Sequence, residues 1–333
     1  MGRSPSSVND INNIQYQFNL KKDHRRIPAN FFKALESFPI QDSFKDLIEF
    51  KGLIFEDTQM ENFSFAKAKE GNFEFSIRNL NNLTMGHYHN DLLIHLVSIR
   101  QVDQQVDWNS YFRSYKKGLL NEPREMSFYI EKEIAVSRKK MEKLFLAKVK
   151  IKPPFKFKTK SGSVELENTE LDVIKETLLK KFPNLEIYDS YKKYENLGKV
   201  ENLIAYHLLL RLNPHEEVKW IVLSEDRNQP DLKIKKIVED YLLTRVQIEK
   251  GIYNIFEFQQ QGIPIRLNYF HHDEYKDIAL DQAYVLGKLH RISLGDKVND
   301  YVSALSKMKS SQMEETVIML KFKLRDILDG NEN

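Results

Sequence analysis

The run Val218, Lys219, Trp220, Ile221, Val222, Leu223, Ser224, Glu225, Asp226 constrains the fold most. Its first six residues are almost wholly apolar and β-branched or aromatic, which suits a strand buried on both faces. It then stops in three polar residues, two of them acidic. Apolar runs at 185–188 and 263–270 flank it, and helical spacing fills the gaps at 199–212 and 231–250, extending toward Gln261. Strands alternating with helices predict βαβ units and a short parallel sheet. An amphipathic helix at 170–181 precedes this series. Residues 277–294 alternate weakly around Gly287 and Lys288 and read as a terminal hairpin, and 298–328 reads as helix.

The first half has another texture. Ile14, Tyr16, Phe18 and Leu20 alternate with polar residues, and a basic loop follows at 21–26. Pro28 then opens a helix with Phe31, Phe32, Leu35 and Phe38 on one face. A strand is expected at 72–80, and helices at 90–102, 108–120 and 127–147. The fold class is therefore α/β: an α+β N-terminal half over 1–152, ending in a basic helix and strand, and an α/β half over 153–333 whose short parallel sheet is flanked by helices.

Composition narrows the chemistry. A chain of 333 residues, 41% hydrophobic and 30% charged, is globular and long enough for two domains. It has no cysteine, so thiolate nucleophiles, disulfides and cysteine zinc sites are excluded. No apolar run is long enough to span a bilayer, and the polar first residues do not resemble a signal peptide. The expectation is a cytoplasmic protein with no membrane partner. P-loop, dinucleotide-binding Gly-x-Gly-x-x-Gly, His-Glu-x-x-His and Gly-x-Ser-x-Gly patterns are absent, as is His-x-Lys, which argues against ATPase, simple NAD enzyme, metalloprotease, serine hydrolase and phospholipase D-type chemistry.

Charge is unevenly distributed. Between Ser137 and Lys160 stand Arg138, Lys139, Lys140, Lys143, Lys148, Lys150, Lys152, Lys156, Lys158 and Lys160 against one acid, Glu142. That is +9 locally; subtracted from the net +3 of the chain, it leaves −6 elsewhere. On either side of Pro153 and Pro154, lysine takes every second place. An extended chain then presents lysines on one face and Val149, Ile151, Phe155 and Phe157 on the other. Such a face is the electrostatic footprint of a phosphate-backbone binder. It is equally the guard that keeps an edge strand from pairing. Trp108, Tyr111, Phe112 and Tyr115 share a helical face, which reads as core packing.

Two further constellations bear chemistry. If the strands are parallel, their carboxyl ends bring out Asp189, Glu225, Asp226, His271 and Asp273 along one sheet edge, where ligands of open parallel sheets bind. Carboxylates with a histidine suit Mg²⁺ or Mn²⁺, with Asp226 and Asp273 as metal ligands, and metal-assisted phosphodiester hydrolysis. Glu-x-Lys occurs at Glu217/Lys219 and Glu274/Lys276, and Pro-Asp at Pro230/Asp231, but neither Glu-x-Lys is placed mid-strand as restriction-type nucleases need. Separately, His87, His89, Asp91 and His95 include metal-ligand types without a zinc-site spacing, and Asn90-Asp91 reads as a helix N-cap. Two functions follow as expectations. One is a nucleic-acid-associated protein, binding DNA or RNA, that is a divalent-metal phosphodiesterase or nuclease, or an accessory factor of a nucleic-acid-processing or defence system. The other is a non-catalytic ligand-sensing or adaptor protein acting through a protein partner or as a homo-oligomer.

Overall fold

The computed structural model describes residues 31, 35, 42–55, 58–68, 72–77, 83–102, 107–158, 160, 162–197, 200–225, 243–258, 262–265, 267 and 270–329. The expected strand at 14–20, the basic loop at 21–26, Phe32 and Phe38 lie outside them. Phe31 and Leu35 are helical and buried.

Among the described residues, the first elements are strands β1 (Lys51–Ile54), β2 (Phe63–Lys67), β3 (Phe73–Ile77) and β4 (Thr84–His87). Helices α1 (Tyr88–Val102), α2 (Trp108–Leu120) and α3 (Phe128–Lys148) follow. A two-stranded ribbon, β5 (Val149–Lys150) and β6 (Lys156–Phe157), leads to helix α4 (Asn168–Leu179). Next come β7 (Glu186–Leu197), β8 (Val200–Arg211), β9 (Lys219–Glu225), β10 (Thr244–Ile248), β11 (Gly251–Glu257) and β12 (Ile263–Pro264). Helices α5 (His272–Leu294), α6 (Val298–Lys307) and α7 (Ser310–Leu328) close the chain.

Helices and strands are mixed, as expected, but the sheet is not parallel. Strands β10-β11-β9-β8-β7 form one five-stranded sheet in which every pair is antiparallel. Residues 200–211, within the stretch expected as a helix, form strand β8. Leu203, Ala205, Tyr206, Leu208, Leu209 and Leu210 are buried on both of its faces, and a continuously apolar run has no period that separates strand from helix. Residues 244–248, expected at the end of a helix, form β10. Among its described residues, the run at 263–270 supplies the two residues of β12, which pair antiparallel with β2 in a separate sheet, order β12-β2-β3. Strand β9 is indeed buried on both faces. Ile221 and Leu223 join the cluster under α4 with Ile174 and Leu178, while Trp220 and Val222 join Val149, Phe157 and Tyr191 under the ribbon.

The largest apolar cluster draws on Phe31 through Ile130 and again on Phe256 through Leu324. Helices from the end of the chain therefore pack on elements from its beginning. Helix α1 lies at the centre of this cluster, with every residue from Asp91 to Ile99 buried, the pattern of a helix enclosed on all sides. Residues 277–294, expected as a hairpin, lie within helix α5. Gly287 is there for close approach rather than for a turn. A Cβ on Gly118 of α2 would overlap the Tyr284 carbonyl oxygen and sit 2.9 Å from the Lys288 nitrogen, and one on Gly287 would overlap the Tyr115 carbonyl oxygen. Both clashes are with backbone, so only separation of α2 and α5 relieves them. Gly118→Ala is expected to cost about 3 kcal/mol, at the upper end for overpacking, read as a lowered thermal midpoint with unchanged helical circular dichroism. An unchanged midpoint would mean that the helices part freely.

Candidate nucleic-acid interface

Helix α3 is held to the fold along one side, with Ile134 packed against the large cluster and Phe145 against the cluster under the ribbon. Ser127 caps it by accepting from the Ile130 amide at 3.5 Å, and the Ser127 amide donates to Asp281 of α5 at 2.9 Å. Asp281 is buried and also pairs with Arg124. Ile130, Ser137 and Met141 are the buried positions of α3. The other side of the helix is exposed, and its second half carries the cations.

Arg138, Lys139, Lys140, Lys143, Lys148, Lys150, Lys152, Lys156 and Lys158 are all exposed. Arg138 pairs loosely with Glu142 at 3.4 Å, and Lys140 pairs with Glu133. Among the described residues, no ion pair engages Lys139, Lys143, Lys150, Lys152 or Lys156. Lys160 differs: half-buried, it donates to Asp189 at 2.8 Å and to the Ser190 carbonyl at 3.2 Å. It is a structural cation rather than a free one.

The ribbon keeps the alternation expected of it. Val149 faces Phe157 across the ladder and Lys150 faces Lys156, so two apolar side chains enter the core and two lysines oppose each other outside. Like charges directly opposite are unfavourable by a few tenths of a kcal/mol or more. Ile151 departs from the expected inner face and is 49% exposed. The segment 163–166 does not pair back as a hairpin; Val164 instead bridges to Lys192 of β7.

Beside this segment opens a cleft of about 930 Å³. Helix α3 contributes Arg138, Glu142, Phe145 and Leu146, and the ribbon turn contributes Ile151 and Phe155. The opposite walls come from the ends of β8, β9 and β11, with Arg211, Trp220, Lys219 and Phe258, and from Lys67 and Phe73 of the first sheet. Trp220 and Phe258 stack face to face at 3.6 Å. The Arg211 guanidinium sits over the rings of Phe155 at 5.2 Å and Tyr188 at 5.7 Å. Lys219 is held by Glu257 at 3.0 Å and Glu216 at 3.3 Å. Nothing in the local sequence announces Arg211, Trp220, Phe258, Lys67 and Phe73 as neighbours, because chain segments from 67 to 258 meet only in the fold.

Among the described residues, the acidic strand ends are not gathered. Asp189 lies within β7, where its carboxylate accepts from the Phe157 amide at 2.8 Å, from Lys160 and from the Ser190 amide at 2.9 Å. Through the ladder Asp189–Leu209–Trp220, it is level with Trp220, five residues from Glu225 on β9. At about 3.4 Å per residue the two acids are roughly 17 Å apart along the strands. The Glu225 carboxylate instead accepts from the Ile204 amide at 3.1 Å. His271 caps α5, and Asp273 lies in that helix's first turn, outside the five-stranded sheet. Asp226 and Pro230-Asp231 lie outside the described residues. The physical reason is strand direction: antiparallel neighbours send successive strand ends to opposite edges.

The histidine group is divided as well. His87 and His89 have ring centroids 5.2 Å apart. Asp91, one turn inside α1 rather than at its cap, accepts from His290 of α5 at 2.9 Å. His95 contacts Tyr111 at 2.7 Å and Gln282 at 3.0 Å. Among the described residues no cluster of three or more His, Asp or Glu is arranged to hold a metal ion. No described helix is long and apolar enough to cross a membrane. No protein-family model, curated protein or solved structure matches the chain.

Proposed function

We propose that the protein binds nucleic acid, with α3 and the β5–β6 ribbon holding the phosphate backbone. The observation that carries this reading is the exposure of nine cations on one continuous helix-and-ribbon segment that also forms a wall of an aromatic-lined cleft. Phosphates are matched by mobile, solvated lysines, and binding draws its free energy from released counterions. The opposition of Lys150 and Lys156 is unfavourable in the free protein, and a bound polyanion relieves it. Among the described residues, Asp189 and Glu225 stand roughly 17 Å apart along the strands and Asp273 lies on a separate helix, so their geometry lends no support to metal-assisted hydrolysis.

The test is salt dependence. A strand engaging about four of these cations gives a log–log slope near −3, so affinity falls about 50-fold between ~50 and ~200 mM salt. Replacing Lys143, Lys150, Lys152 and Lys156 together by Glu should abolish binding in fluorescence anisotropy with labelled DNA and RNA oligonucleotides. Because all four are exposed, the thermal midpoint should hardly move. Binding that ignores salt, or that survives the fourfold replacement, would sink the proposal.

A further inference from the structure

The cleft differs in chemistry from the wall beside it. The wall is almost purely cationic. The cleft lining is aromatic and electrically mixed, with Glu142 facing Arg138 and Glu257 facing Lys219. A phosphate gains little from such compensated charges, but a planar, polar, uncharged group fits them. Arg211 supplies a flat cation already stacked on Phe155 and Tyr188, and guanidinium planes and aromatic rings are the surfaces on which splayed bases stack. The Arg211 Nε is buried and has no hydrogen-bond partner among the described residues. Leu146 and Ile151, 45% and 49% exposed, line the same cleft, and Ile151 stands between the exposed Lys150 and Lys152. The cleft volume lies within the range of small-molecule sites.

We infer that the cleft takes unpaired nucleobases while the lysine wall holds their phosphates, so that the protein prefers single-stranded nucleic acid to duplex. This rests on the backbone-binding reading above and adds the class of strand. A duplex keeps its bases paired and stacked, and cannot send them into a recess behind the phosphates. A single strand can, at about 5- to 150-fold in affinity per stacked base.

The experiment compares a labelled mixed-sequence DNA of about 20 nucleotides with the same sequence as a duplex, by anisotropy at one salt concentration. The single strand should bind at least about 10-fold more tightly. Phe155→Leu keeps the apolar volume but removes the ring, and Arg211→Gln removes the planar cation. Each should weaken single-strand binding about 10-fold and leave duplex affinity and the salt slope unchanged. Addition of the single strand to the unaltered chain should also quench tryptophan emission. Trp220 lines the cleft, whereas Trp108 is buried in the other cluster. Equal affinity for the two forms, with a steep salt slope, would overturn this inference and leave backbone binding standing. Absence of binding to either form would overturn both.

Discussion

Lowering the pH from about 7.5 to about 4.5 is expected to remove on the order of 5–10 kcal/mol of folding stability, comparable to the whole stability of a typical domain. Three buried histidines carry this. Burial pushes His207 down to about 3, with the charge of Lys193 adding to it. Burial pushes His89 down to about 4, helped by His87, and His95 down to about 4, opposed by its bond to Gln282. The contacts agree with uncharged rings. The Trp220 Nε1–H donates to His207 Nδ1 at 3.1 Å, so that nitrogen must keep its lone pair. In the unfolded chain each imidazole takes a proton near 6.5, whereas in the folded protein it resists until about 4 or 3. Between those values the unfolded state binds more protons, so stability is present above 6.5 and is lost as the pH falls. Two units below 6.5, each group contributes on the order of 2–3 kcal/mol. Denaturant midpoints across this range should fall steeply. His207→Phe, which keeps the ring stacked on Tyr191 at 4.5 Å, should flatten the slope by about 1.4 kcal/mol per unit. A midpoint constant from about pH 7 to about pH 5 would contradict the burial of these rings.

Asp91→Ala is expected to cost about 3–5 kcal/mol. Both the Asp91 and His290 side chains are fully buried. One Asp91 carboxylate oxygen accepts from the Phe55 amide at 2.8 Å and from His290 Nε2 at 2.9 Å. His290 reaches the Tyr115 hydroxyl at 2.7 Å, which lies 3.4 Å from that of Tyr301. Alanine leaves an amide and an imidazole nitrogen without an acceptor in a dry core, each worth about 1–3 kcal/mol. Asp91→Asn keeps an oxygen there and should lose distinctly less. Chemical denaturation compares the three chains, and a loss for alanine below about 1 kcal/mol would show that water or neighbouring groups take over the acceptor's role.

This network also shows where local reading ends. Asp91, His95 and the aromatic face of α2 were visible as residues, and Trp108–Leu120 has a helical pattern that the structure keeps residue for residue. Their partners Gln282, His290 and Tyr301 stand some 190 positions later, on helices that meet α1 and α2 only in the folded core. Gly287 looked like a turn because glycine commonly marks one, and the steric demand of Gly118 upon it is invisible along the chain. Leucine serves helix and buried strand alike, so the pattern of β8 reads as helix along the chain, and the expected parallel sheet with its shared acidic edge follows from that reading.

What the sequence determined by itself is what neighbouring residues decide together. The absence of cysteine, the buried character of β9, the helices α2 and α3, and the lysine alternation around Pro153 and Pro154 are of this kind, because local sterics and short hydrophobic periods act over a few residues. Only the tertiary structure decided the direction of the strands, the pairing of β12 with β2, the separation of Asp189 from Glu225, and the meeting of Arg211, Trp220 and Phe258 beside the lysine wall. Those depend on which apolar faces bury each other, a choice made among segments distant in the chain by the fit of whole surfaces rather than by any residue's own preference.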